Sequence, residues 1–502
     1  MRPLLGLAAA ASLDKDTRSR FGLGEDQLME SAARGMYQVL KDQGFFRGDA
    51  GPDRPIVALC GTGNNAGDAL AVLRMAAFEG LDGLVAVVPD GLSAAAAERL
   101  AEARAAGVAV VGPDGLEAAR LVRQAGLLLD GVAGTGVRGA LREPQAHIAA
   151  LAELASCPVV SVDIPSGVAP WAGGRPGGAV RAAASLCVAP VKAELYYPGW
   201  RPSAGRVMPI DGVFPRQAVP SAWLLEDDDF EAPALDADAH KGTRGALAVY
   251  GGSEGTLGAP VLAARAGSAA GAGTVTLIIR DDLYPLVAGS LETQMVRPRS
   301  LGAGRAVHAA VVGPGMGLDQ EARDQFRELW DGQLPLVVDA DALRMLAEGR
   351  PGPRPGGAAL VLTPHLGEAR ALLACAAGEI GQEALERAGD RIQYDTLSSV
   401  RTLATAFGAV VVLKSSVTWI GSPDGIPRVY DGRQPELATG GSGDVLAGVI
   451  GGLLARGVPA MDAATAAVLA HGWAGRRLAS ERGFFDAAAL PGAIARRLHP
   501  GA

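Results

Sequence analysis

From residue 55 onward, short runs of hydrophobic residues alternate with longer stretches in which hydrophobic residues recur every three or four positions. The first runs cover residues 56–60 and 84–88, and residues 68–78 between them have the spacing of a helix. Continuous hydrophobic runs are typical of strands buried on both faces, so the pattern predicts parallel sheets covered by helices. Further strands are expected at residues 108–111, 127–132, 159–164 and 186–189.

The alternation stops between about residues 214 and 239, where prolines and the acidic cluster 226–229 replace it. A second alternating series follows, with strands expected at residues 245–252, 275–279, 309–312, 336–338, 359–362 and 410–413. The sequence therefore predicts two α/β domains, residues 1–217 and residues 218–502, that meet in a linker.

The composition is that of a folded protein, with 49% hydrophobic and 20% charged residues. The net charge is −8 and no basic stripe is present, which argues against nucleic acid as a partner. No uncharged hydrophobic run reaches the roughly 18 residues that a membrane span requires. The cysteines are far apart in the sequence and form neither a zinc nor a disulfide pattern. We therefore expect a cytoplasmic protein without a membrane partner. A homo-oligomeric state is a further expectation that does not rest on these patterns.

The most informative segment is the glycine-rich stretch 438–448, which includes Gly440, Gly441, Ser442, Gly443 and Asp444. Hydrophobic residues after it recur with helical spacing, so a glycine turn is predicted to lead into an amphipathic helix. The free amide groups at such a helix start bind phosphate oxygens, and a carboxylate there can accept the proton of an attacking hydroxyl. The alternative is a turn that only makes a tight bend.

Other polar residues in the second half follow predicted strands, where ligands gather in α/β sheets. Glycine turns follow two strands, at residues 251–253 and 313–317. Asp339 and Asp341 end another strand, as helix caps or as outer groups of a magnesium site. His365 ends a further strand, and Lys414 follows the strand 410–413, where a cation could meet phosphates.

Together these segments resemble the ADP-dependent NAD(P)H-hydrate dehydratases, which have a ribokinase-like α/β fold. The resemblance implies that Asp444 takes the proton of the C6 hydroxyl of the hydrate, with Mg²⁺ offsetting phosphate charge and ADP as co-substrate. Because hydroxide is a poor leaving group, phosphorylation of this hydroxyl would precede its expulsion. The matching residues are 240–242, 251–253, 258–260, 313–317, 363–368, 414–418 and 440–444. The implied substrate contacts are Ala259, Gly315, His365 and Asp444, and the implied nucleotide contacts are Lys414, Ser415, Ser416, Val417, Thr418 and Gly443.

In the first half, the turn 61–68 follows a predicted strand and opens a helix, so amide groups and asparagine side chains meet at one strand end. A turn that only caps the helix is the alternative. Asp130 and Asp163 end two other predicted strands and could share one site.

These segments resemble the Rossmann-like NAD(P)H-hydrate epimerases, over residues 10–213. The resemblance implies a potassium site formed by Asn65, Asp130 and Ser166, and Asp163 as the acid/base group at C6. The implied substrate contacts are Asn64, Asn65, Ala66, Gly67, Asp68, Gly134, Thr135, Gly136, Val137, Arg138, Gly139, Ala140 and Asp163.

The two resemblances together imply a bifunctional enzyme that interconverts the R and S forms of hydrated NADH and NADPH and dehydrates the S form. Ala66 and Ala69 replace glycines that are common in the epimerases, and we expect their methyl groups to crowd the ligand. Two alternatives stay open: a ribokinase-like kinase of a small molecule, and a dehydratase whose N-terminal domain only binds or assembles.

Overall fold

The computed structural model describes residues 1–46, 54–215, 219–304, 306–349, 354–379 and 381–499, and these form two compact units. The N-terminal unit comprises residues 3–222 with 393–395, and the C-terminal unit comprises the remaining residues. The α/β class predicted from the hydrophobic pattern is confirmed in both units. None of the described helices is both long and apolar enough to cross a bilayer.

The N-terminal unit is built on a parallel sheet with helices on its faces. Its strands are β1 (Arg2–Leu5), β2 (Ile56–Cys60), β3 (Leu84–Val87), β4 (Ala109–Val111), β5 (Leu127–Gly131), β6 (Val159–Val162), β7 (Ala184–Val188), β8 (Val191–Lys192) and β9 (Arg206–Ile210). Its helices are α1 (Leu7–Phe21), α2 (Glu25–Asp42), α3 (Asn64–Phe78), α4 (Ala94–Ala105), α5 (Leu116–Gln124), α6 (Gln145–Ala150) and α7 (Arg201–Ala204).

The main sheet of this unit has the order β4-β3-β2-β5-β6-β7-β9, and β1 pairs separately with β8. The strand order reverses between β2 and β5, as in doubly wound Rossmann-like sheets. Ligands in such sheets bind at the carboxyl ends of the strands beside this reversal. The topology therefore places the turn after β2 and the end of β5 at a binding crevice.

The C-terminal unit also has one long sheet, in the order β13-β12-β11-β14-β15-β16-β17-β18-β19-β10, in which only β18 runs antiparallel to its neighbours. Its strands are β10 (Ala222–Leu225), β11 (Ala246–Tyr250), β12 (Thr274–Ile279), β13 (Met295–Pro298), β14 (Ala309–Val312), β15 (Leu336–Val338), β16 (Leu360–Leu362), β17 (Val410–Leu413), β18 (Thr418–Gly421) and β19 (Arg428–Tyr430). The remaining helices are α8 (Gly258–Ala269), α9 (Tyr284–Val287), α10 (Gln320–Asp331), α11 (Ala340–Gly349), α12 (Leu366–Ala376), α13 (Gln382–Tyr394), α14 (Thr396–Phe407), α15 (Ser442–Ala455), α16 (Ala460–Arg482) and α17 (Leu490–Leu498). Strand β10 lies in the segment expected to be a linker, so that segment is not simply a loop.

Helix α15 is the central helix of the C-terminal unit. All of its residues except Gly443 and Asp444 are buried, so the prediction of an amphipathic helix with one hydrophobic stripe is wrong. The helix packs tightly on α8, because a Cβ atom on Gly448 would lie 2.2 Å from the Ala263 carbonyl oxygen. Burial on every side holds the helix rigidly and leaves only its first turn open to a ligand.

Candidate active sites

In the N-terminal unit, the turn after β2 lies against the end of β5. The Gly61 amide donates to the Gly131 carbonyl at 3.2 Å, and a Cβ atom on Gly61 would lie 1.8 Å from the Val132 carbonyl oxygen. Only glycine therefore fits at this position. Helix α3 begins at Asn64, four residues before the predicted start, so Asn64 and Asn65 lie in its first turn beside free amide groups.

The three residues expected to hold potassium form a cluster of oxygen atoms beside this turn. The Asp130 carboxyl is fully buried and accepts hydrogen bonds from the amide and the hydroxyl of Ser166. Burial raises the pKa of Asp130, while these hydrogen bonds act to lower it. Asn65 donates from Nδ2 to the Val162 carbonyl at 2.7 Å, and its Oδ1 lies close to Gly134. A buried carboxylate among neutral oxygens fits a large hard cation.

Asp163 is held at the end of β6 in an unusual conformation. Its φ angle is 63°, in the left-handed region that residues other than glycine rarely adopt. Its Oδ1 accepts hydrogen bonds from the Val188 amide at 3.0 Å and from Lys192 Nζ at 2.6 Å. Burial acts to lower the pKa of Lys192, but the charges of Asp163 and other neighbours raise it overall. The lysine is therefore a cation, and Asp163 Oδ1 is an acceptor fixed in place.

A cavity of about 220 Å³ opens beside this ion pair. Its polar lining includes Asn64, Asp68, Thr135, Asp163 and Lys192. The Oδ1 atom of Asp68 is buried and has no hydrogen-bond partner among the described residues. Burial, followed by the negative charge of Asp163, raises the pKa of Asp68 well above its ordinary value. The cavity thus combines a fixed acceptor with a carboxyl group that favours its protonated form.

The remaining predicted epimerase residues differ in their relation to this cavity. Of residues 134–140, only Thr135 lines it, and Arg138 donates to the carbonyls of its own loop at Thr135 and Val137. Ala66 and Ala69 are fully buried in the hydrophobic core and do not line the cavity. The expectation that their methyl groups crowd the ligand is therefore wrong, because these side chains point to the sheet.

In the C-terminal unit, the predicted glycine turn leads into a helix as expected. Gly441 has a φ angle of 90°, and α15 begins at Ser442, so Asp444 lies in the first turn. The buried His471 of α16 contacts this turn. Its Nε2 lies 3.1 Å from the Ser442 carbonyl oxygen and 3.3 Å from the Ser442 hydroxyl. Burial lowers the pKa of His471 to about 4, so the imidazole is neutral at physiological pH.

Lys414 lies between the carboxylates of this site. Its Nζ donates to Asp339 Oδ1 at 2.8 Å, and a Cβ atom on Gly443 would lie 3.1 Å from the same Nζ. Burial acts to lower the pKa of Lys414, but Asp339, Glu368 and Asp444 raise it overall. The pKa of Asp444 is raised to about 6, first by burial and then by Asp339, while Lys414 acts to lower it. The start of α15 thus offers amide groups, one cation and one carboxyl of near-neutral pKa.

The side chains of Asp339 and Asp341 make contacts other than helix capping, and the alternative role as outer groups of a magnesium site stays a prediction. Asp339 is 2% exposed and accepts hydrogen bonds from Lys414 and from Thr363 Oγ1 at 2.7 Å. Asp341 Oδ2 accepts from the Gly317 amide at 2.9 Å, which fixes the turn 313–317. These contacts make Asp339 the partner of the lysine, and make Asp341 the anchor of the neighbouring turn.

His365 directly precedes α12, and its side chain caps the start of this helix. Its Nδ1 accepts hydrogen bonds from the amides of Gly367 and Glu368 at 2.9 and 3.2 Å, and the Glu368 carboxylate accepts from the His365 amide. Burial lowers the pKa of His365, so Nε2 carries the single proton of a neutral ring. The backbone of His365 pairs with that of Lys414, which brings both residues to one edge of the sheet.

The other predicted nucleotide and substrate contacts lie in two groups. Ser415 Oγ donates to the Val417 carbonyl at 2.6 Å and accepts from the Val417 amide, while the Val417 side chain is fully buried. Ser416 is exposed and Thr418 starts β18, so this segment offers a nucleotide mainly the lysine and its backbone. Ala259 lies in the first turn of α8, and Gly315 is tied to that region by a hydrogen bond from Thr256 at 2.9 Å.

Sequence reasoning missed two residues that the structure brings into these sites, and it gave no role to Glu368 of the matching segment 363–368. Lys192 follows a hydrophobic run and pairs with Asp163, and His471 lies in a long hydrophobic helix. The pKa of Glu368 is raised to about 7, chiefly by burial. A charged or titratable residue inside a hydrophobic stretch is the signal that could have indicated the first two.

Two family models match the chain, one for each unit. Residues 247–496 match the family described as NAD(P)H-hydrate dehydratase, and residues 25–193 match the YjeF-related protein N-terminus. A ribokinase-like superfamily protein of Enterococcus faecalis V583 aligns with 57% of this chain and 98% of its own, at 24% identity and a TM-score of 0.46. The chain is therefore a two-domain α/β protein in which each unit matches its own family model, and the C-terminal family is a family of enzymes.

Relatives that span both units define the family further. The chain is 32% identical to the bifunctional NAD(P)H-hydrate repair enzyme of Salinibacter ruber, over 95% of this chain and 92% of that protein. It is 41% identical to the ADP-dependent (S)-NAD(P)H-hydrate dehydratase of Neisseria meningitidis serogroup B, over 47% of this chain and 77% of that protein. The chain therefore belongs to the family of bifunctional NAD(P)H-hydrate repair enzymes.

Proposed function

We propose that this chain repairs hydrated NADH and NADPH in two steps: the N-terminal unit interconverts the R and S hydrates, and the C-terminal unit dehydrates the S form with ADP. The observation that carries this proposal is Asp444, which lies in the open first turn of a buried helix beside Lys414. Family membership over nearly the whole chain supports the pairing of the two activities.

In the dehydratase site, the start of α15 would hold the transferring phosphoryl group through its amides and Lys414. Asp444, with its pKa raised to about 6, would accept the C6 hydroxyl proton near neutral pH. His365 would donate from Nε2, since its Nδ1 is occupied. Ala259 and Gly315 would contact the substrate, while Ser415, Ser416, Val417, Thr418 and Gly443 would contact ADP.

The same site fits a magnesium ion. Mg²⁺ at phosphoryl-transfer sites is usually bound by one or two carboxylates together with phosphate oxygens, and it offsets phosphate charge. Asp341 is a partly exposed carboxyl near Asp444, whereas Asp339 is buried and paired with Lys414. Phosphate oxygens would provide most of the ligands of the ion, with Asp341 as an outer group, and Asp444 would stay free to act as the base.

In the epimerase site, the cavity beside Asp163 would receive the hydrated ring. Asn64, Asp68, Thr135 and Asp163 line this cavity, so we propose that they contact the substrate. The rest of the loop 134–140 and residues 65–67 would contact the nucleotide part through their backbone. A potassium ion held by Asn65, Asp130 and Ser166 would fix the turn after β2 to the end of β5. A cytoplasmic location and a homo-oligomeric state complete the proposal.

One assay tests both activities. The full chain would be mixed with R and S hydrates, Mg²⁺, K⁺ and either ADP or ATP, and recovery of reduced-nicotinamide absorbance would be followed. We expect complete recovery from both hydrates. A stable phosphorylated product would instead support a small-molecule kinase, and recovery of the S form alone would support an N-terminal unit that only binds.

A further inference from the structure

The N-terminal cavity contains two carboxyl groups, and they differ in their contacts. Asp163 accepts hydrogen bonds from Lys192 and from the Val188 amide, so it is held as a fixed acceptor. Asp68 lines the same cavity from α3, and its buried Oδ1 has no hydrogen-bond partner among the described residues. A buried carboxyl oxygen without a donor beside it suits a protonated group better than a carboxylate.

The charges around the cavity support the same distinction. Lys192 is its buried cation and is already bound to Asp163, while Asp14 and Glu25 of the lining pair with Arg18 at 3.9 and 3.6 Å. Two neighbouring carboxylates that share one cation do not both ionise readily. The raised pKa of Asp68, caused first by burial and then by Asp163, agrees with this argument. A carboxyl group that favours its protonated form, next to one that accepts hydrogen bonds from a cation, is suited to act as the acid of an acid–base pair.

Resting on the proposed epimerase function, we propose that Asp68 is the proton donor and Asp163 the proton acceptor of a two-carboxylate pair that opens and recloses the hydrated ring at C6. Lys192 is a positioning residue that holds Asp163 in its accepting role. The juxtaposition of both carboxyls in one cavity of about 220 Å³ carries this proposal.

The steps balance without any further reactant. Asp163 takes the proton of the C6 hydroxyl, the O–H electron pair forms the C6=O bond, and the C6–N1 bond breaks with its electrons moving to N1. N1 takes the proton of Asp68. Rotation about C5–C6 presents the other face of the aldehyde, N1 then attacks C6, and each proton returns to its starting group.

Ring opening is favoured over loss of the hydroxyl group. Expulsion of water from C6 would give a cation that forms the reduced nucleotide on losing a C5 proton, and nucleotide-driven dehydration would then be unnecessary. Opening of the C6–N1 bond avoids this cation and keeps the original oxygen atom.

The test uses the full chain with purified R hydrate and no nucleotide, and chromatography follows formation of the S hydrate. Asp68→Asn is expected to slow interconversion by about 100-fold or more, while Asp82→Asn, on an exposed loop of the same unit, leaves it unchanged. Lys192→Met should lower kcat by more than tenfold with little change in KM. Turnover of S hydrate with ADP measures the intact C-terminal unit, and near-UV circular dichroism compared with the wild type measures folding of the N-terminal unit in every sample.

Three results would overturn the proposal: interconversion by Asp68→Asn within threefold of the wild type, a Lys192→Met effect confined to KM, or incorporation of solvent ¹⁸O at C6 in every molecule that the wild-type protein interconverts. The ¹⁸O measurement requires no variant and tests ring opening, and Asp68→Ala, if as active as the wild type, would rule out Asp68 as the donor where Asp68→Asn does not fold. Absence of any interconversion by the wild type would instead refute the epimerase function itself.

Discussion

The two units use the same arrangement of charges in different ways. In each unit a lysine pairs with an aspartate at a strand end, the buried Lys192 with Asp163 at 2.6 Å and the half-buried Lys414 with Asp339 at 2.8 Å. In each unit a second carboxyl group near the pair has a raised pKa, because burial and the paired aspartate both disfavour its charge. The units differ in which carboxyl faces the ligand.

In the N-terminal unit the paired aspartate itself lines the cavity, with its backbone held in the left-handed region. In the C-terminal unit the paired aspartate is 2% exposed, and the carboxyl that stays open is Asp444 at a helix start. Epimerisation moves protons and leaves the charge of the substrate unchanged, so an ion pair beside the ring suffices. Phosphoryl transfer needs amides and a cation for the phosphate, and the helix start and Lys414 provide both.

The largest expected effect comes from removing the open carboxyl of the C-terminal unit. Asp444→Asn should reduce dehydration of both hydrates by about 10²–10⁴-fold, because every molecule passes through this step. Nucleotide binding, measured by calorimetry, should persist because the helix amides and Lys414 are unchanged. Asp424→Asn, an exposed aspartate of the same unit, is the control. Turnover retained by Asp444→Asn would remove the proposed role as base.

Asp163→Asn should affect conversion of the R hydrate and leave turnover of the S hydrate intact. The R hydrate should remain unconverted, while turnover of the S hydrate stays within twofold of the wild type, since Asp163 belongs to the other unit. After a mixed sample has reacted exhaustively with ADP, chromatography measures the amount of R hydrate that remains. An equal loss of both hydrates would mean that the units do not act separately.

The pH dependence of S-hydrate turnover sharpens the comparison further. Because Asp444 must be ionised to accept a proton and its pKa is raised to about 6, kcat/KM should fall about tenfold per pH unit below pH 6. Charged neighbours of Asp444 are Asp339, Asp341 and Lys414. The raised pKa means that the folded chain binds this proton more tightly than the unfolded chain. The Asp444 carboxyl therefore stabilises the folded chain at pH values below its ordinary pKa, and that contribution is lost as the pH rises through 6.

Protonation of Asp444 does not destabilise the folded chain. Unfolding caused by this group therefore does not explain a loss of activity at pH 5. Glu368, whose pKa is raised to about 7, is the other carboxyl that titrates in this range. Glu368→Gln should leave the midpoint near pH 6. A midpoint that disappears in this variant would assign the titration to Glu368.

The sequence predicted the features that follow from local patterns. Hydrophobic runs located most strands, and the glycine turn before Ser442 correctly placed Asp444 in a first helical turn. The pairing of Lys192 with Asp163 depends on residues brought together by strand order, which no local pattern encodes. Local patterns also do not show in which direction a small side chain points. Ala66 and Ala69 were expected at the ligand, but α3 starts at Asn64 and both methyl groups point to the sheet.

The smallest predicted effect tests whether the methyl group of Ala69 packs in the core or reaches the ligand. Ala69→Gly should lower the free energy of unfolding by about 1 kcal/mol, because glycine is the poorer helix former and leaves space in the core. The KM for the R hydrate should remain within twofold, since the side chain does not line the cavity. Denaturant unfolding and initial rates measure the two quantities, with Ala8→Gly on the exposed side of α1 as the helix control. An improved KM without loss of stability would mean that the methyl group does reach the ligand.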